Sequence, residues 1–329
     1  MLAFSCAVAL AACSSDAVTS LADAGGDAAT DSAPTTDTGI PTDRGDGGRP
    51  SASCILDGLV NPTTAFPDYG RFKPVINASC TGTHHQNIAG VQKVVFLGDS
   101  ITVGTPPTAP AEYYHTRLEA KLRATFGADI EVASCAKFGA RTSDFIGGGD
   151  QIAQCFPSGT EPKKTLVIFT AGGNDIANWA KDGISAAEAT AKADVAAGLL
   201  RAAVTWLKDP VHFPAGSFVV FANAYEYTDG SGKVTACPAA SLSGFKQDWP
   251  QGIPAVTHFL EEYMKVAVET NTDLMFLFEQ FCGHGYRNDD PTAPCYRGPG
   301  AERWFDVTCY HPNGTGHGKI ADAFFSVIR

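Results

Sequence analysis

Five short apolar runs constrain this chain more than any other feature: "KVVFL" at 93–97, "IEVAS" at 130–134, "TLVIFT" at 165–170, "SFVVFAN" at 217–223 and "DLMFLF" at 273–278. Each is four to eight residues long, is bounded by turn residues and is often rich in Val, Ile and Phe, so each reads as a buried strand. Helical spacing fills the gaps. Residues 111–126 carry Tyr114, Leu118, Leu122 and Phe126 at intervals of four, 186–207 carry Val195, Leu199, Ala202 and Leu207, a third helix spans 255–269, and "GKIADAFFSVI" closes the chain. Strand-then-helix repetition implies an α/β fold, a mainly parallel five-stranded sheet covered on both faces. In such sheets ligands bind outside the carboxyl ends of the strands.

Chemistry-bearing residues gather at those ends. "GDSITVG" puts Ser100 just beyond the first strand, where Gly98 permits a tight path and the hydroxyl can face the crevice. The stretch is neither the G-x-S-x-G elbow nor a phosphate-binding P-loop. "CAKFGARTSDF" after the second strand offers an unshielded N–H at Gly139, and "GGND" after the third offers the Asn174 amide, a donor suited to a developing oxyanion. "CYHPNGTGH" places His311 before Pro312, which biases it towards an extended loop. Singly, each of these reads as a turn; together and in this order they are a constellation.

That constellation resembles the SGNH (GDSL-type) hydrolase family across the whole folded region. The resemblance implies a flavodoxin-like three-layer α/β/α sandwich and ester hydrolysis without metal or organic cofactor. It also implies Ser100 as nucleophile, His311 as general base, and the Ser100 and Gly139 N–H groups with the Asn174 side chain as oxyanion hole. The family's acid stands three residues before the histidine, where this chain has Thr308; the nearest acid, Asp306, is five before. Three arrangements follow: Asp306 reaches the imidazole along an altered loop and completes a triad, a main-chain carbonyl at or near Thr308 holds it in a Ser-His dyad, or an acid elsewhere in the chain does so. The expected substrate is an acylated sugar or lipid. The alternative is a surface-tethered carbohydrate- or lipid-binding protein that uses the same crevice without turnover.

Composition divides the chain further. From Ser14 to Ser53 there is no aromatic residue, and Ala, Asp, Gly, Thr, Ser and Pro dominate, a mixture that cannot bury enough apolar area to offset chain entropy. Seven Asp against Arg44 and Arg49 put −5 of the net −11 there. Residues 14–53 are therefore expected to be a disordered acidic linker, and the absence of a basic stripe excludes nucleic acid as partner. Upstream, residues 2–12 are apolar but too short to span a bilayer, as in a signal peptide. They end in "LAAC", which resembles the bacterial lipobox and makes Cys13 the expected lipidation site of a 1–13 signal peptide. Ser14 after it favours the outer membrane by the same resemblance. The expected domain is 54–329, a monomer outside the cytoplasm, held to the membrane by its anchor or secreted.

Eight further cysteines, Cys54, Cys80, Cys135, Cys155, Cys237, Cys282, Cys295 and Cys309, form no CxxC pair and suit disulfides in an oxidising compartment. Closeness in sequence favours Cys54 with Cys80 and Cys135 with Cys155, and a disulfide at Cys309 would pin the His311 loop. No metal site is expected: His84 and His85 would point to opposite faces of a strand, and His284 falls in a loop suited to disulfide restraint. The long stretch 225–254, with Tyr225, Tyr227, Phe245 and Trp249, either lines the substrate pocket or packs as an ordered lobe.

Overall fold

A computed structural model of the chain describes residues 52–61, 66–147, 151–225 and 227–329. The 1–13 segment with Cys13, and the 14–53 segment up to residue 51, lie outside the described residues. Ala52 and Ser53, expected in the linker, belong to a 3-10 turn over Ala52–Leu56.

The elements are β1 (Lys93–Leu97), α1 (Ser100–Val103), α2 (Tyr114–Phe126), β2 (Glu131–Ser134), α3 (Gln151–Cys155), β3 (Thr165–Thr170), α4 (Gly173–Asp182), α5 (Ala186–Lys208), β4 (Ser217–Ala222), α6 (Ile253–Thr270), β5 (Asp273–Met275), α7 (Leu277–Phe281) and α8 (Gly314–Ile328). The five strands form one sheet, ordered β2-β1-β3-β4-β5, and every pairing is parallel. Side chains alternate across it, as the strand period requires. Val95, Leu97, Val167, Phe169, Val219 and Phe221 pack with α5 and α6 on one face. Val94, Phe96, Leu166, Ile168, Val220 and Ala222 pack with α2 and α8 on the other. Both faces are covered, which is why the strands read as continuous apolar runs.

Two sequence expectations need correction. In α5 the buried stripe is alanine-rich, Ala189, Ala193, Ala196, Ala197, Leu200, Ala203, Val204 and Leu207, whereas Val195 is 66% exposed and Ala202 faces solvent. Small side chains let α5 lie close against α6, so the interface runs along residues that carry little hydropathy signal. The run "DLMFLF" is a strand only to Met275, and Leu277 begins α7. There the Asn223 side-chain oxygen accepts from Phe278 N (2.8 Å) and starts the turn into the helix.

An arm before β1 covers the β5 edge: Thr83 N donates to the Leu274 carbonyl (2.9 Å) and Phe276 N to that of Thr81 (2.9 Å). His85 belongs to this arm, with Nδ1 2.7 Å from the Thr272 carbonyl and Nε2 accepting from Val75 N (3.2 Å). It is a satisfied structural histidine. All eight cysteines of the folded region pair, as Cys54–Cys80, Cys135–Cys155, Cys237–Cys309 and Cys282–Cys295. Among the described residues no helix is long and apolar enough to cross a membrane.

The β3–α4 junction fixes the strand end tightly. Gly172 caps α4 at φ 85°, and a Cβ there would lie 2.0 Å from the Tyr263 hydroxyl, which donates to the Ala171 carbonyl (2.8 Å). Gly172→Ala is therefore expected to destabilise the fold by about 1–3 kcal/mol through strain and overpacking. Urea unfolding measures this, and an unchanged midpoint would contradict the packing described.

Candidate active site

Ser100 is positioned by its neighbours on both sides. Gly98 adopts φ 134°, where a Cβ would meet Thr102 Oγ1 at 2.6 Å and the Thr170 carbonyl at 2.9 Å. The Gln151 amide clamps it, with Oε1 accepting from Gly98 N (2.7 Å) and Nε2 donating to its carbonyl (2.8 Å). Asp99 then caps α1: its Oδ1 accepts from Ile101 N (3.0 Å) and from Thr170 Oγ1 (2.9 Å). Burial pushes the Asp99 carboxyl up, and these donors work against that shift. Ser100 is thus the first residue of a one-turn helix, and its own N–H is one of the unpaired donors that such a start leaves.

His311 sits on a hairpin built from the other end of the chain. Asp306 N donates to the His311 carbonyl (2.9 Å), Cys309 N donates to that of Asp306 (3.1 Å), and Phe305 bridges to Pro312. Cys309 takes φ 74° at the turn and is tied to Cys237, while the Tyr225 hydroxyl donates to the Tyr310 carbonyl. The hairpin brings His311 Nε2 to 2.9 Å from Ser100 Oγ across 211 positions of sequence. Burial pulls the imidazole pKa down to about 4, so the ring is neutral near pH 7.

The partner of Nδ1 differs from each sequence expectation. It is the Thr308 hydroxyl, 3.2 Å away. The Thr308 carbonyl makes no hydrogen bond to the ring; it lies 3.8 Å from Cys237 Sγ. Asp306 does not contact the imidazole: its Oδ1 accepts from Thr308 N (2.7 Å) and Thr308 Oγ1 (2.5 Å), an Asx turn that folds the carboxylate back along its own chain. With its proton directed to Asp306, the Thr308 oxygen accepts Nδ1–H, and Nε2 is left to accept from Ser100. Burial raises the Asp306 pKa, and the Thr308 donors oppose the shift.

Gly139 and Asn174 reach the same mouth. Gly139, at φ 74°, sits in a turn closed by Ala140 N to the Lys137 carbonyl (3.2 Å), and Lys137 N is hooked to the Gly98 carbonyl (2.9 Å). Among the described residues neither the Ser100 nor the Gly139 N–H has a partner. Asn174 Nδ2 donates one proton to the Ala140 carbonyl (2.9 Å), leaving its second available. Asp175, which the sequence reading passed over beside Asn174, ties the two pieces together: its carboxylate accepts from Thr142 N (3.0 Å) and Thr142 Oγ1 (3.2 Å). Burial pushes Asp175 up to about 6, against those hydrogen bonds.

Ser100, Gly139, Asn174 and His311 all border one cavity of about 320 Å³. Part of the wall is the α4 face with Ile176, Ala177 and Ala180; another part comes from the 225–254 stretch, with Tyr227, Val234, Phe245 and Trp249. That stretch is therefore pocket wall and not only an ordered lobe. Among the described residues no group of three or more His, Cys, Asp or Glu side chains is placed to hold a metal. His284 stacks on Trp304 at 3.5 Å with Nδ1 2.6 Å from the Glu302 carbonyl, away from the cavity.

Residues 96–319 match the GDSL-like lipase/acylhydrolase family. The chain is also similar to solved structures. A phospholipase A1 from Streptomyces albidoflavus is 18% identical at TM-score 0.47, over 72% of this chain and 99% of that one. An extracellular lipase from Streptomyces rimosus is 19% identical at 0.44, over 72% and 100%. A gut microbial diltiazem-metabolizing enzyme is 15% identical at 0.50, over 74% of this chain and 48% of that one. The likeness at TM-score 0.50 bears on the fold alone. A search of curated proteins found no match. The matched residues run from the end of β1 into α8 and contain every side chain at the cavity mouth, and on that ground the chain belongs to the GDSL-like lipase/acylhydrolase family and is an ester hydrolase.

Proposed function

We propose that the protein hydrolyses carboxylic esters through an acyl-Ser100 intermediate, with the acyl group lodged in the apolar cavity beneath the 225–254 wall. The observation that carries this is the 2.9 Å contact between Ser100 Oγ and His311 Nε2 at the cavity mouth. In the first step Ser100 Oγ attacks the ester carbonyl while Nε2 takes its proton, because a serine hydroxyl alone is a weak nucleophile. The carbonyl oxygen becomes an oxyanion facing the Ser100 and Gly139 N–H groups and the free proton of Asn174 Nδ2. Such a donor is typically worth on the order of 10² to 10³ in rate. Collapse breaks the bond to the alcohol, which leaves with the proton from Nε2. Water then repeats the sequence on acyl-Ser100, giving the acid and restoring the serine.

The relay Asp306–Thr308–His311 gives the imidazolium its support. As Nε2 gains a proton, positive charge spreads to Nδ1–H, and the Thr308 oxygen, itself polarised by the Asp306 carboxylate, accepts that hydrogen bond more strongly. The ring is held by a hydroxyl in place of a direct carboxylate. A crevice used only for binding has no need of a serine and a neutral histidine in hydrogen-bond contact, so turnover is the better reading. Four disulfides support an extracytoplasmic site of action, and the lipobox-like Cys13 and the acidic 14–53 segment would tether the domain to a membrane.

Ser100→Ala is expected to lower turnover of p-nitrophenyl esters by at least about 10⁴-fold with the circular dichroism spectrum unchanged; activity near wild type would contradict the role given to Ser100. The relay is tested separately. Thr308→Val removes the hydroxyl but keeps the carbonyl and the volume, and should cost about 10- to 10²-fold in kcat with little change in KM, while Thr308→Ser stays within about threefold of wild type. Equal rates in Thr308→Val and wild type would return the role to another group.

A further inference from the structure

The substrate class can be narrowed from a cation on the cavity wall, an argument that rests on the acyl-enzyme reading above. Asn174, Ala177 and Lys181 recur at i, i+3 and i+7 on α4, hence on one face, and all three line the cavity. At 1.5 Å per residue, Lys181 lies about 10 Å along the helix from the oxyanion donor Asn174. Between them the wall is apolar, with Ile176, Ala177 and Ala180.

A lysine in the last turn of a helix suits the helix dipole, which accounts for a cation at this position but not for its setting. The Lys181 ammonium stands 5.2 Å from the centre of the Phe245 ring, itself a cavity wall, and the aliphatic stem runs beside Gly244. Among the described residues no carboxylate lies within 4.0 Å of its Nζ, a state it shares with other lysines of the chain; what sets it apart is that it lines the cavity. Lys181 is exposed at the cavity wall; desolvation by its neighbours lowers its pKa, and Arg141 adds to this while the adjacent Asp182 opposes it. An anion arriving through the cavity would thus meet a cation with an aromatic neighbour and no bound counter-charge.

We propose that Lys181 makes the cavity selective for esters whose acyl chain ends in an anion, the half-esters of dicarboxylic acids being the simplest members of the class. At about 1.2 Å per bond of extended chain, and with about 3 Å of the roughly 10 Å taken up by the hydrogen bond to the ammonium, the span corresponds to an acyl group of roughly six to eight carbons. The carboxylate lies at the Lys181 end, the methylenes lie along Ala177, and the ester carbonyl lies at Asn174 and Ser100.

The experiment compares kcat/KM for mono-p-nitrophenyl adipate and suberate with the p-nitrophenyl esters of hexanoate and octanoate. The wild-type protein is expected to favour the carboxylate-bearing ester of each pair by about tenfold or more at low salt, with the preference shrinking as ionic strength rises. In Lys181→Met the ratio should fall by about tenfold, and in Lys181→Arg it should be retained. If Lys181→Met does not fold, Lys181→Gln and the salt dependence of the wild-type ratio decide. Faster turnover of the neutral esters by the wild type, or a ratio untouched by the loss of the charge, would overturn the assignment while leaving the acyl-enzyme reading in place. Failure to hydrolyse any of the four esters would overturn both.

Discussion

A 2.9 Å hydrogen bond between Ser100 and His311 joins the end of the first strand to a hairpin near the C-terminus, and most of the architecture serves that juncture. The parallel sheet brings the ends of β1, β2 and β3 side by side, so Ser100, Gly139 and Asn174 emerge at one level. His311 comes from outside the sheet and must be delivered by a loop. The hairpin over 305–312 is accordingly restrained by backbone hydrogen bonds, by the Tyr225 and Tyr286 hydroxyls on its carbonyls and by a disulfide at its turn.

The Cys237–Cys309 bond links two functions that are usually built separately. Cys237 lies in the stretch that walls the cavity, Cys309 two residues before the histidine, and 72 positions separate them. Closing a loop of that length removes about 4 kcal/mol of unfolded-state freedom on the chain-entropy account. It also ties the stretch that walls the cavity to the loop that carries His311.

Much of this was legible in the sequence, for a physical reason. Strands buried on both faces must be apolar throughout, so β1, β3 and β4 announced themselves, and the strand-end residues followed from the topology. The phase of α5 did not, because its buried stripe is alanine, where packing depends on small size more than on hydropathy. The end of β5 was missed because Phe276 and Phe278 are buried in either conformation. At the site, Ser100, Gly139, Asn174 and His311 border one cavity. What orients the imidazole escaped, because an Asx turn at Asp306 rotates a side-chain hydroxyl, rather than a carbonyl or the carboxylate, towards Nδ1. The string "DVTCYH" carries the Asp-x-Thr signature of that turn, but which Thr308 oxygen faces the ring depends on how the whole hairpin folds, and the hairpin is tied to Cys237, 72 positions before Cys309.

Burial of His311 does chemical work as well as positional work. In the proposed reaction a neutral imidazole must accept the serine proton, and a pKa near 4 keeps it neutral well below the range of a solvated histidine. The most direct measurement is the rate of covalent phosphonylation by an alkyl p-nitrophenyl phosphonate as a function of pH, with the adduct mapped by mass spectrometry. The account requires a single adduct on Ser100, formed at a rate that holds as pH falls through 6 and is lost only as it falls through about 4. An adduct on any other residue, or a rate that is already lost near pH 6.5, would contradict it.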